Sequence, residues 1–276
     1  MDKRPKKDIS RFLAEDLGKG DITSNLLPRK KIKAHIISKQ ECILAGINYV
    51  KDIFSSRGCK IRIIKKDGTN VKSNQIVFEV FGPVQTILAC ERTALNLLSR
   101  MSGIATKTKK LVNKIRIINP KIKLYSTRKT APGLRFFDKE AVIIGGGEKN
   151  RMSLDEMVMI KDNHLAVVDS LPRLILKARK KYKKIEIEVE NQEDALLAAS
   201  MGADIVMLDN FSPKEIIKTV SQLKKSKLRN RIILEASGGI NEKNISSFAK
   251  TGIDRISVGE ITNSVLGIDF SLEISS

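Results

Sequence analysis

The chain has no tryptophan, its aromatic residues make up only 4% of the total, and it carries 2 histidines and 3 cysteines. Each shortage excludes something. So few aromatics leave little on which unpaired bases could stack, which argues against a single-strand nucleic-acid platform. His35 and His164 are too few for a histidine metal cage, and no serine–histidine nucleophile pairing is evident. Cys42, Cys59 and Cys90 are odd in number, far apart and without a C-x-x-C pair. That fits a reducing compartment and neither a disulfide framework nor a thiolate metal site. No run of about 18 apolar residues occurs, so no membrane-spanning segment is expected. MDKRPKKDIS lacks an apolar stretch behind its basic residues and does not read as a signal peptide. The expectation is a cytoplasmic protein that binds neither membrane nor nucleic acid.

What is present is a 276-residue chain, long enough for one large domain or two unequal ones. Hydrophobic content of 41% and charged content of 30% are ordinary, but 51 Lys and Arg against 31 Asp and Glu leave a formal charge of +20. Such an excess suits nucleic acid, an anionic membrane, acidic small substrates or a lysine-rich surface. The basic runs Lys3–Lys7, Arg29–Lys33, Lys177–Lys184 and Lys224–Lys227 are scattered and fall mostly at helix ends or turns, so most of this charge reads as solvated surface.

In chain order, residues 8–17 form a helix pattern stopped by Gly18, and IKAHIISKQ alternates as a strand that continues into ECILAG. Residues 47–57 look helical, and KIRIIKKDGTNV and NQIVFEVFG are two strands about a DG turn. These make a small α+β layer to about residue 85, with Pro83 as a boundary mark. From Thr86 the pattern is a long amphipathic helix or helix pair, broken near Gly103. After Asn119-Pro120, strands at Ile122–Ser126, Met157–Lys161, Ile185–Glu190, Ile205–Asp209, Ile232–Ala236 and Arg255–Val258 alternate with helices at 166–182, 191–201, 213–225 and 241–250. Asn191 and Ser212-Pro213 are helix starts; Gly202 and Gly252 are stops. Alternation of this kind implies parallel strands covered by helices, and without a G-x-G-x-x-G it points to a (β/α) barrel.

The ends of these strands carry the chemistry. TRKT follows one apolar run and KDNH another, so Arg128, Lys129 and Lys161, with Arg151 between, fall at the rim where parallel α/β folds bind ligands. Cations converging there repel one another unless an anion sits among them, so the expected ligand bears several negative charges. In IEIEVE, alternation puts Glu186, Glu188 and Glu190 on one face; either at least one faces the mouth or the strand is a charged edge. SGGI and SVG are glycine turns on the last two strands, where backbone N–H groups can approach a phosphate. Gly145-Gly146-Gly147 is either a mobile loop or a tight packing turn, and His164 suits a structural role. Carboxylates able to hold Mg²⁺ through phosphate oxygens, beside cationic clamps, point to phosphoryl or phosphoribosyl chemistry.

EDLGKGDIT, ERTALNLLSRMSGIAT, STRKTAPGLR, the GGG run with its following arginine, MIKDNH, EIEVE, ADIVMLDN, LEASGGI and DRISVGEIT, in that order, resemble the nicotinate-nucleotide pyrophosphorylase family. This is the carboxylating quinolinate phosphoribosyltransferase of NAD biosynthesis, and the resemblance runs from about Glu15 to Leu272. It implies an α/β protein with an N-terminal α/β sandwich over 1–100 and an open (β/α) barrel over 101–261. It also implies that residues 262–276 return to the first domain, and a homodimer, or a higher oligomer, with shared active sites. Arg92, Arg128, Asn150, Arg151 and Lys161 then match the quinolinate-binding positions, with Arg92 supplied across the dimer. Lys129, Glu188 and Asp209 match those around phosphoribosyl pyrophosphate and its Mg²⁺, the metal being held through substrate or water. Lys129, Lys161, Glu188 and Asp209 are the implied catalytic set, and Ser237, Gly238, Gly239 and Gly259 the implied 5′-phosphate cradle. The family usually carries His-Arg where this chain has Asn150-Arg151; asparagine keeps a donor but brings no charge. Two rivals follow: a phosphoribosyltransferase for another pyridine or azole acid, and a nucleic-acid-binding protein drawing on the net charge.

Overall fold

The structure, a computed structural model, describes residues 4–168 and 170–275; Met1–Lys3, Asp169 and Ser276 lie outside that description. The chain forms two compact units. One takes in the chain up to Lys109, Thr130–Gly146 and the chain from Ser264 onward. Its antiparallel sheet runs in the order Phe270–Ile274, Lys31–Ser38, Gln75–Pro83, Lys60–Ile63. Alternation along Lys31–Ser38 buries Ile32, Ala34 and Ile36 on one face. Helix Ile47–Ser55 buries Ile47, Val50, Ile53 and Phe54, and Phe54 meets Phe78 of the sheet with ring centroids 5.8 Å apart.

The long helix Val84–Ile118 runs without a break at Gly103, contrary to the sequence expectation. Glycine is there for another reason. A Cβ on Gly103 would lie 2.1 Å from the Leu266 carbonyl oxygen, so the missing side chain admits the returning C-terminal backbone. Gly145 settles the triple glycine as a packing turn: its Cβ would sit 2.6 Å from both the Ala105 carbonyl oxygen and the Thr108 Cβ. It closes helix Arg135–Ile144, which belongs to this first unit. Among the described residues no helix is long and apolar enough to cross a membrane.

The second unit comprises Lys110–Lys129 and Gly147–Asn263. It holds six parallel strands: β1 Lys123–Ser126, β2 Val158–Ile160, β3 Ile185–Val189, β4 Ile205–Asp209, β5 Ile233–Ser237 and β6 Arg255–Val258. Their order in the sheet is β1-β6-β5-β4-β3-β2, cyclic sequence order with the β1–β2 contact missing. This is an open (β/α) barrel. A single bridge, Tyr125 to Glu148, occupies the β1 side of the opening, with the Glu148 N–H donating to the Leu124 carbonyl at 2.8 Å. Helix Pro213–Lys225 starts where its signals place it: Ser212 caps the Glu215 N–H at 3.3 Å, and the Glu215 carboxylate returns to the Ser212 N–H at 2.7 Å. The helix expected over 241–250 shrinks to Ile245–Phe248. Asn244 Oδ1 accepts from the Asn241 N–H at 2.8 Å, and its Nδ2 donates to the Gly239 carbonyl at 3.0 Å, so side chains hold that backbone in a turn.

Candidate active site

Residues of β1 to β6 at or near their C-terminal ends and the segment through Asn150-Arg151 enclose a cavity of about 380 Å³. Arg128, Lys129, Asn150, Arg151, Lys161, Glu188, Asp209 and Ser237 all line it. Several of these side chains are tied by partners within the same unit. Lys161 forms an ion pair with Glu188. Arg151 Nη1 donates to the Met157 carbonyl at 3.1 Å, while its Nη2 lies 3.2 Å from the Met159 sulfur. Asn150 Oδ1 accepts the Arg151 N–H at 2.7 Å. Burial, and then the neighbouring Arg128 charge, push the Arg151 pKa down. Two guanidiniums held this close favour an anion between them.

The glutamates of β3 separate by depth. Glu188 lines the cavity, Glu190 is exposed, and Glu186 is wholly buried. Since β3 lies between β2 and β4, the charged-edge explanation fails. Neither oxygen of Glu186 has a hydrogen-bond partner among the described residues. Burial first, and the Glu235 charge second, push its pKa up to about 8. Glu235 on β5 is likewise buried and raised, although Ser257 donates to it and Arg255 stands 3.8 Å away. A carboxylate taken out of water without full compensation keeps its proton.

A second cavity of about 360 Å³ is lined by Ser237, Gly238, Gly239 and Gly259, and shares Thr127, Lys129, Asp209, Ser237 and Ser257 with the first. Gly238 and Gly239 have φ of 84° and 61°, a left-handed pair that turns the backbone after β5. Gly259 serves differently: a Cβ there would press to 3.2 Å on Lys129 Cδ, so its absence gives the lysine room. The expected helix start behind these glycines is displaced by the asparagine-held turn.

Arg92 is placed elsewhere. It lies exposed on the long helix, in the first unit, and lines neither cavity. Lys149 is exposed and outside the lining. His164 is exposed, and its Nδ1 accepts the Lys161 N–H at 3.0 Å, a local structural role. Sequence reasoning did not single out Thr127, Met159, Met207 or Ser257, which complete the first cavity. The position of each at or near a strand end was the available signal. The buried Glu235 had no local signal.

Two family models match the chain: the N-terminal domain of quinolinate phosphoribosyl transferase over residues 21–102, and its C-terminal domain over 104–273. A probable nicotinate-nucleotide pyrophosphorylase (carboxylating) of Archaeoglobus fulgidus is 45% identical over 255 residues, covering 92% of this chain and 98% of that protein. The human nicotinate-nucleotide pyrophosphorylase (carboxylating) is 35% identical over 245 residues, covering 88% and 82%. Among solved structures, the nicotinate-nucleotide pyrophosphorylase of Francisella tularensis superposes with a TM-score of 0.91 at 38% identity, covering 99% of this chain and 96% of that one.

Proposed function

Because the chain belongs to the quinolinate phosphoribosyl transferase family along almost its whole length, we propose that it transfers the phosphoribosyl group of phosphoribosyl pyrophosphate to quinolinate. Nicotinate mononucleotide, CO₂ and pyrophosphate are the products, a step of NAD biosynthesis. The observation that carries the reading is one continuous lining. Arg128, Arg151 and Lys161 gather at one end, Gly238 and Gly239 lie at the other, and Lys129, Asp209 and Ser237 belong to both. A dicarboxylate suits the cations and a 5′-phosphate the glycines, which leaves the ribose between them, beside Glu188 and Asp209.

In the reaction, the pyridine nitrogen bonds to C1′ as the C1′–oxygen bond to diphosphate breaks. Glu188 and Asp209 stabilise the positive charge that develops on the ribosyl ring, and Lys129 and Lys161 offset the charge of the leaving diphosphate. The alkylated nitrogen is then cationic. The bond from C2 to its carboxylate breaks, CO₂ leaves, and the electron pair stays on C2 beside that positive charge until a proton arrives. This step asks of the protein chiefly that Arg128 and Arg151 hold the ring in place.

The donor set fits Mg²⁺ taken up with the diphosphate. Glu188 and Asp209 offer carboxylate oxygens on adjacent strands, and among the described residues no cluster of three or more His, Cys, Asp or Glu forms a cage made of protein alone. Bound there through substrate or water, it would neutralise charge on the diphosphate oxygens. Arg92, exposed and in the lining of neither cavity, supports a homodimer in which Arg92 of the partner subunit reaches the dicarboxylate. Arg92→Ala and Lys161→Ala chains, each inactive alone, should then regain activity when mixed, because one of the two sites in each heterodimer is intact. No regain, with subunit exchange demonstrated, would mean that Arg92 acts within its own chain or is structural. Three buried, unpaired cysteines support a cytoplasmic setting.

The deciding assay supplies phosphoribosyl pyrophosphate and Mg²⁺ with quinolinate labelled at the 2-carboxylate. Labelled CO₂ and nicotinate mononucleotide are expected in equal amounts. Turnover of nicotinate in place of quinolinate would transfer the site to another pyridine acid, the reading that Asn150 would favour.

A further inference from the structure

Asn210, directly after Asp209, holds its backbone at φ 58°, a left-handed conformation uncommon outside glycine although tolerated by asparagine. Three contacts hold it. Its N–H donates to the Ser237 carbonyl at 2.9 Å, joining the end of β4 to the end of β5. Its Nδ2 donates to Asp209 Oδ2 at 2.8 Å. Its carboxamide stands over Gly238, where a Cβ would come within 2.2 Å of Asn210 Oδ1 and 2.6 Å of its backbone nitrogen. Asn210 lines the glycine cavity, whereas Asp209 lines both cavities.

We propose that Asn210 is a positioning residue that aims the Asp209 carboxylate and locks it to the glycine cradle. A lone aspartate turns about its side-chain bonds. A donor fixed on one oxygen removes that freedom and leaves the second oxygen for the ligand. The donor is itself fixed, because its backbone is tied to Ser237 and its carboxamide is packed on Gly238. Left-handed backbone on a residue other than glycine persists where surrounding contacts over-determine it, and such positions cluster where geometry is used. The inference rests on the role given to Asp209 above.

The simpler explanation, that asparagine only makes the turn, predicts the opposite result for one substitution. Glycine adopts φ 58° more readily than asparagine, so Asn210→Gly keeps the turn and deletes only the carboxamide. Asn210→Gly is expected to retain its thermal midpoint and to lose about tenfold to a hundredfold in kcat, the range for one hydrogen bond to a charged group, with both KM values within about twofold. In an Asp209→Ala background the same change should alter kcat by less than about twofold, since it acts through a carboxylate already gone. Full kcat in Asn210→Gly beside a disabled Asp209→Ala, or the same loss in both backgrounds, would overturn the inference alone. Undiminished kcat in Asp209→Ala would overturn the role of Asp209 and the inference with it. Should Asn210→Gly fail to fold, Asn210→Asp keeps the size and left-handed tolerance while removing the donor; kcat lost beside Asp209 but not in the Asp209→Ala background supports the proposal, whereas full kcat, or the same loss in both backgrounds as repulsion of the phosphate would give, sinks it.

Discussion

Half of the barrel mouth is made of long charged side chains and the other half of backbone. At the ends of β1, β2 and β3 stand Arg128, Lys161 and Glu188, the last two paired by charge, and Arg151 joins them from the segment before β2. At the ends of β5 and β6, Gly238, Gly239 and Gly259 shape a recess by what they lack. Charge recognises a dicarboxylate and can be rewritten one side chain at a time. A recess formed by positive φ and missing Cβ atoms takes any phosphate of the right size and fails when its backbone is moved. On the proposed function, the first half sets which acid enters, and the second is a common socket for the nucleotide half of the reaction.

The sharpest way to break this division is to remove both Arg128 and Arg151. The double alanine variant should lose at least about a hundredfold in kcat/KM for quinolinate, from two charge-assisted contacts of ~1.5–3 kcal/mol each. Binding of phosphoribosyl pyrophosphate by itself should scarcely change. Steady-state kinetics in quinolinate and calorimetry with each ligand alone would show whether the two halves are separable.

Gly238→Ala tests the other half. The new Cβ meets both the side chain and the backbone of Asn210, at a φ of 84° that alanine resists. Strain of ~1–3 kcal/mol should raise the KM for phosphoribosyl pyrophosphate about tenfold or more while quinolinate binding alone holds. Weakened quinolinate binding in this variant would mean the halves are one rigid piece.

Asn150→His sharpens the charged half. An imidazole there adds a cation below its ordinary pKa of about 6.5, so quinolinate should bind up to about tenfold more tightly at lower pH, with the gain lost as pH rises through that value. Binding curves at several pH values for both proteins decide it.

The smallest effect lies beneath both halves, in Glu186. Its folded pKa of about 8 stands above the ordinary 4.5, so between those values the folded protein keeps a proton that the unfolded chain releases. Stability therefore falls as pH rises through that window. Glu186→Gln should flatten the slope, leaving the variant a few degrees more stable than the parent at the alkaline end. Urea unfolding across the window, with an unchanged slope in the variant, would show that Glu186 does not carry it.

What the sequence made legible was local. β4, β6 and helix Pro213–Lys225 fall at their expected limits because caps and stops adjoin them: Ser212 and Pro213 at the start of the helix, Gly202 and Gly252 just before the strands. The strand-end cations and the glycine turns were legible for the same reason. Gly103 misled because its lack of a side chain serves Leu266, far along the chain, and nothing nearby says so. Helix 241–250 was overread because Asn241 and Asn244 offer the backbone other partners. The depths of Glu186, Glu188 and Glu190 were illegible, since alternation gives a face and says nothing of distance from the mouth.

The gap in the hydrogen-bonded ring has a cause in the order of the chain. A parallel β–α–β step normally lays its helix across the two strands it joins. Between β1 and β2 that helix, Arg135–Ile144, is committed to the first unit, so the step has nothing to clasp the two strands together. The barrel is thus a split collar, and the split falls between Arg128 and Lys161, two of the cations that the proposed function sets against the acid. A collar of this kind can tighten on a small ligand or spread for a larger one without giving up a single rung of its ladder. On the proposed function, any such adjustment falls on the side of the acid, while β5 and β6, which carry the phosphate recess, are neighbours joined by hydrogen bonds.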